Sequence, residues 1–141
     1  MFGGDNMNYY YMDLAYKECL KALKNNEIPV GAVVVKDNKI LAKSHNNRQK
    51  KHIIIGHAEI NAIIKAEKKI KDWRLDGCEM YVTLYPCDMC KIIIDNSRIN
   101  KIYYLCDNEI SKLNKDNNYI KINDNYEYKE LLKDFFLKLR K

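Results

Sequence analysis

One histidine, one glutamate and two cysteines stand at spacings that metal and proton chemistry can use. His57-Ala58-Glu59 is followed downstream by Pro86-Cys87-Asp88-Met89-Cys90. An imidazole and two thiolates, His57, Cys87 and Cys90, make three ligands, and nitrogen and sulfur donors suit zinc, one ion per chain. Three protein ligands leave the fourth tetrahedral position to water, which marks a catalytic rather than a structural site. Glu59, two residues from the imidazole, is left over for proton transfer. Cys87 and Cys90 are three apart, so both thiols project from one side of a first helical turn. Free amide hydrogens and the positive end of the helix dipole favour thiolate there. The plainer alternative is a closed structural site, whose fourth ligand would come from Cys78, Cys106, His45 or His52. Closed zinc ribbons more often carry two Cys-x-x-Cys pairs, and this chain has one.

The elements that must position these residues follow from periodicity. Tyr9 to Lys24 reads as an amphipathic helix, with Met12, Ala15, Tyr16, Cys19, Leu20 and Leu23 on one face. Val30 to Val35 is an apolar β-branched run, and Ile40 to Lys43 pairs back on it through an Asp37-Asn38-Lys39 turn. Ser44 to Lys51 reads as a polar loop. His57 to Lys71 is a second helix, with Ile60, Ile63, Ile64 and Ile70 inward. Cys78 to Leu84 is a third strand, Cys87 to Asn96 a helix opened by Pro86, and Ile99 to Leu105 a fourth strand. Tyr119 to Ile122 is a short fifth strand. Asn123 or Asp124 caps a last helix through Leu139, with Tyr128, Leu131, Leu132, Phe135 and Leu139 inward. Trp73 reads as a packing anchor. The implied class is α/β, a three-layer α-β-α sandwich around a mixed sheet of about five strands.

Composition bounds the rest. At 141 residues the chain reads as one domain, 1–141, with residues 1–8 a loose terminus. The net charge of +6 favours polyanions such as RNA, although a solvated lysine surface would give the same number. Five cysteines, an odd count with one Cys-x-x-Cys, argue for a reducing, cytoplasmic setting rather than a disulfide framework. No leader and no bilayer-length apolar run is read, so no membrane partner is expected.

His57-Ala58-Glu59 with Pro86-Cys87-Asp88-Met89-Cys90 resembles the cytidine deaminase superfamily, whose zinc enzymes carry H-x-E and P-C-x-x-C. Within it the chain resembles bacterial tRNA-specific adenosine deaminases. The further likeness lies in Glu27-Ile28-Pro29-Val30-Gly31-Ala32-Val33, Asp72-Trp73-Arg74-Leu75, Ser97-Arg98-Ile99 and Asp134-Phe135-Phe136 with Arg140. The resemblance implies a cytidine deaminase-like fold and hydrolytic conversion of adenosine to inosine at the wobble position of a tRNA anticodon. It implies that Glu59 carries protons from water to the base and on to the leaving ammonia. It also implies that Asn46, Val30 and Ala58 contact the substrate, that Phe136 and Arg140 touch RNA, and that the chain is a homodimer with no other protein partner. Tyr85 before Pro-Cys, Ile53-Ile54-Ile55-Gly56 before the histidine, Lys91-Ile92-Ile93, and the Cys106 to Lys112 segment depart from the family pattern. They keep open a second reading, deamination of a free base or nucleoside such as guanine, cytosine or cytidine.

Overall fold

A computed structural model describes residues 9–139, so the terminal stretch 1–8 and Arg140 lie outside the described residues. Five strands form one sheet in the order β2-β1-β3-β4-β5: β1 Gly31–Lys36, β2 Lys39–His45, β3 Cys78–Leu84, β4 Lys101–Cys106 and β5 Tyr119–Lys121. β1 runs antiparallel to both β2 and β3. β3, β4 and β5 run parallel. The β1–β2 hairpin closes through Asp37 and Asn38, both at positive φ (51° and 63°), as its two-residue turn demands. Parallel pairing of β3 with β4 needs a crossover, and the helix α4, Asp88–Asn96, supplies it.

Alternation along the strands divides the core into two layers. Ala32, Val34, Met80, Val82, Ile102 and Tyr104 face one side, with α3 (Ala58–Ile70) and α4. Val33, Val35, Tyr81 and Leu105 face the other, with α1 (Tyr10–Lys24) and α5 (Tyr128–Leu139). The sandwich read from the sequence is therefore the observed architecture.

Several inward assignments shift. α1 buries Met12, Ala15, Glu18, Cys19 and Ala22, while Leu20 is exposed. The reason lies at Gly31, where a Cβ would stand 2.0 Å from the Ala15 oxygen and 2.5 Å from the Cys19 nitrogen. The helix backbone lies directly on β1, so its small residues must face the sheet. Ile64 and Leu139, both expected inward, are exposed; the buried stripe of α3 runs through Ala62, Ile63 and Ala66, and that of α5 ends at Phe135. Trp73 is not a core anchor: it is half exposed, with the Arg74 and Arg98 guanidinium groups 5.2 and 5.3 Å from its ring. The expected 44–51 loop instead continues β2 to His45 and folds a short helix, α2, at Arg48–Lys51. Asp124, rather than Asn123, prepares α5 by accepting the amides of Tyr128 (2.9 Å) and Lys129 (3.0 Å). Among the described residues no helix is long and apolar enough to cross a membrane.

Candidate metal centre

Two helix starts meet at the centre. His57 precedes α3 and Cys87 precedes α4, both in extended backbone (φ −86°, ψ 148°; φ −66°, ψ 167°), and Cys90 sits in the first turn of α4. Extended geometry at a helix-preceding position turns the side chain back over the first turn, so the two helices aim three donors at one point. The ligand atoms of His57, Cys87 and Cys90 all lie within 4.8 Å of one another. His57 Nδ1 is 3.4 Å from Cys90 Sγ and 3.8 Å from Cys87 Sγ. A tetrahedral ion with Zn–N of about 2.0 Å and Zn–S of about 2.3 Å holds a nitrogen and a sulfur about 3.5 Å apart. The donor set and its spacing therefore fit zinc, through Nδ1 rather than Nε2.

The spare ligands named from sequence do not join the group among the described residues. His45 Nδ1 pairs with Glu18 Oε1 at 2.8 Å, His52 closes α2 with φ 57°, and the Cys106 thiol donates to the Asp107 carbonyl. Cys78 is buried at the start of β3.

Charge is tightly shared at the centre. A hydrogen bond from Cys90, together with the His57 ring, draws the Cys87 thiol down to about 4 against the effect of burial. The same bond and burial push Cys90 up. Its contact with Cys87 raises the His57 imidazole. Glu59 is buried, and that burial lifts its carboxyl to about 7, with the Cys87 thiolate adding to the rise and its own amide, His57 and Cys90 opposing it. Two thiols and a carboxyl crowded in a dry place favour a divalent cation over the protons that otherwise neutralise them.

The other described site residues are placed as follows. Ala58 and Val30 belong to the core layer beneath α3 and α4. Asn46 is buried and its amide is engaged on both ends: Nδ2 donates to the Ile28 carbonyl and Oδ1 accepts the Arg48 amide. Phe136 is partly exposed on α5, edge-on to Phe135, on the face of the sheet away from α3 and α4.

Sequence reasoning missed what holds the rim. Glu27 is buried and accepts the amides of Gln49 (3.0 Å) and Lys50 (2.7 Å), which fixes α2. Asp88, between the two cysteines, accepts the amides of Lys112 (2.9 Å) and Leu113 (3.1 Å). Ser111 donates to the Pro86 carbonyl and Asn108 to that of Tyr85. Lys91 is buried between Asp95 (2.9 Å) and Asp116 (2.8 Å), and the buried Tyr85 ring stands edge-on to Tyr104. Two of the departures from the family pattern, Tyr85 and Lys91, are thus parts of the packing that attaches the 107–116 segment to the cysteine turn. A lysine one residue after a ligand, on a helix, with Asp four residues on, was the available signal.

The profile of the MafB19-like deaminases matches residues 6–140. The tRNA-specific adenosine deaminase of Aquifex aeolicus is 39% identical over 95 residues, 67% of this chain and 63% of that protein. Its Bacillus subtilis counterpart is 43% identical over 94 residues, 67% of this chain and 58% of that protein. This chain therefore spans about three fifths of the length of these relatives. A solved structure from work on A-to-I editing by tRNA:A34 deaminases superposes with a TM-score of 0.74 at 30% identity, covering 80% of this chain and 97% of that one. Guanine deaminase from Bacillus subtilis superposes with a TM-score of 0.69 at 32% identity, covering 74% of this chain and 68% of that one. The chain belongs to the MafB19-like deaminase family, and its fold is cytidine deaminase-like.

Proposed function

We propose that the protein is a zinc-dependent deaminase that converts adenosine to inosine at the wobble position of a tRNA anticodon. The observation that carries the chemistry is the cluster of His57 Nδ1, Cys87 Sγ and Cys90 Sγ with the buried Glu59 carboxylate beside it. The relatives named tRNA-specific adenosine deaminases support the substrate. His57, Cys87 and Cys90 hold the ion. Bound zinc supplies a Lewis acid that brings the pKa of water from about 15.7 to about 7. Glu59 is the proton carrier: it takes a proton from the attacking water and gives it to the ring nitrogen of adenine, then takes the proton of the hydroxyl now on the reacting carbon and gives it to the amino group, which leaves as ammonia. Adenosine and water become inosine and ammonia, with Glu59 restored at the end. Its dry surroundings raise the carboxyl, as suits a group that must both accept and donate protons.

Ala58, Val30 and Asn46 contact the substrate in this reading. Phe136 and Arg140 act on RNA, and a homodimer with no other protein partner is the working assembly. Five unpaired cysteines and a tRNA substrate fit the cytoplasm. The test is inosine formation in an anticodon stem-loop with adenosine at the wobble position, run beside free adenosine, cytidine, cytosine and guanine. Inosine in the RNA supports the proposal. Turnover of a free base or nucleoside with none in RNA overturns the substrate half, and guanine is the arm that the guanine deaminase likeness makes sharpest.

A further inference from the structure

A cleft of about 340 Å³ opens at the end of the sheet away from the metal centre. Tyr11 of α1, the Asp37–Asn38 turn of the β1–β2 hairpin, and Gly77, Glu79 and Tyr81 around the start of β3 line it. The cysteine turn follows the other end of that strand, so Glu79 and Leu84 are separated by about 17 Å of extended chain, at about 3.3 Å per residue. The walls are fixed. Asp37 and Asn38 hold the positive φ of a two-residue turn, Val35 pairs with Glu79 across β1 and β3, and the Gly77 amide donates to Asn100 Oδ1 (3.1 Å). The lining has polar capacity that the fold leaves unused. Among the described residues the Tyr81 hydroxyl makes no hydrogen bond, although the side chain is only 6% exposed. Asp37 and Glu79 enter no ion pair among the described residues, in a chain of net charge +6, and no basic side chain lines the cleft. The Tyr11 ring lies 5.4 Å from that of Tyr81, tilted by 45°, and Tyr103 stacks on Tyr81 at 4.8 Å. Burial, and then the Glu79 carboxylate, push the Tyr81 phenol above its ordinary value, so it stays neutral.

We propose that this cleft binds the head group of an alkylammonium ion. Glu79 and Asp37 are its counter-charges, the Tyr81 hydroxyl oxygen is an acceptor, and the Tyr11 and Tyr81 rings are its walls. The inference goes beyond the deaminase reading and does not depend on it. Chemistry selects the occupant. An ammonium brings three N–H donors and no acceptor, the complement of a lining that offers carboxylate and hydroxyl oxygens. A cation is also attracted to a tyrosine face within about 6 Å of its centre. A phosphate would meet two carboxylates and be repelled, which separates this site from any that RNA would use. A calcium ion takes about six to eight oxygen ligands and gains nothing from aromatic rings, whereas the cleft offers it two carboxylates.

The test titrates the full-length, zinc-loaded protein, free of RNA, with n-butylammonium chloride and with a tripeptide carrying a central lysine. Amide chemical shifts of Asn38, Gly77 and Glu79 report binding, and zinc content and unfolding temperature report the fold. The proposal expects saturable shifts confined to the hairpin turn, the start of β3 and the first turn of α1. Glu79→Gln should weaken binding at least about tenfold, because a charge-assisted hydrogen bond is lost. Tyr11→Leu, which keeps an apolar side chain but no π face, should weaken it about threefold. Glu109→Gln, an exposed carboxylate elsewhere, should bind as the parent does. Tighter binding of the peptide assigns the head group to a lysine of a protein partner, and equal binding assigns it to a free amine. The absence of saturable shifts at millimolar concentrations of both probes overturns the proposal. Parental affinity in a folded Glu79→Gln overturns it as well. So does displacement of n-butylammonium by magnesium at equal ionic strength, because the carboxylates would then serve a metal.

Discussion

Two glutamates are similarly exposed on opposite faces of one sheet, and their surroundings assign them opposite work. Glu18 in α1 is 5% exposed and Glu59 in α3 is 4% exposed. At Glu18, burial alone would raise the carboxyl, but hydrogen bonds from His45 and Lys21, each 2.8 Å, outweigh it and hold it below its ordinary range. At Glu59 no basic side chain other than the metal-facing His57 offsets burial, and the carboxyl rises to about 7. The first carboxylate is stabilised by its partners and ties α1 to the end of β2. The second is left uneasy beside the three clustered donors His57, Cys87 and Cys90. Similar exposure thus says little about role, whereas the depth of each carboxyl and the donors that meet its oxygens say a great deal.

The comparison can be broken most severely at the ligands. Cys87→Ala should abolish zinc binding, read as metal per chain by elemental analysis, and with it all turnover, since binding energy at such a site is also folding energy. Glu18→Ala should do the reverse. It leaves His45 without a buried acceptor, at about 1–3 kcal/mol, which lowers the unfolding temperature by several degrees while zinc content stays at one. Glu18→Ala protein that loses zinc instead would erase the contrast between the two faces.

Acid and base sharpen it further, through unfolding of metal-free protein followed across pH. The folded pKa of Glu18 lies below its ordinary 4.5, so its contribution is complete above that value and is lost as pH falls through the lower folded value. The folded pKa of Glu59 lies above 4.5, at about 7, so its contribution is complete below 4.5 and is lost as pH rises through about 7. Glu59→Gln should therefore flatten the alkaline side of the profile, and Glu18→Gln the acid side. The smallest effect belongs to Lys21→Ala: its side chain is 60% exposed, and its removal should cost no more than about 0.5 kcal/mol in chemical denaturation.

Much of this was legible in the sequence, because local patterns govern it. The H-x-E and P-C-x-x-C spacings carried the metal group, and alternation in Val30 to Val35 and Cys78 to Leu84 carried the layers. What stayed hidden depended on contacts distant in the chain. Leu20 faces water because Gly31 draws the α1 backbone onto β1. Glu27 looks like one residue of a motif, yet its oxygens meet amides 22 and 23 residues away. The amide of Asn46 turns toward Ile28 and Arg48, an orientation that no spacing encodes. Lys91 reads as a misfit beside a ligand until Asp116 arrives from the segment before β5.

The central claim is that Glu59 moves protons and neither holds the metal nor supports the fold. Its most direct test is Glu59→Gln, with zinc per chain and inosine formation measured on the same preparation as the parent. The account predicts one zinc per chain, an unfolding temperature at least as high as the parent's, and turnover reduced by at least about 100-fold. Near-parental turnover at full zinc would contradict it, and loss of zinc would show that the carboxylate had been part of the metal site all along.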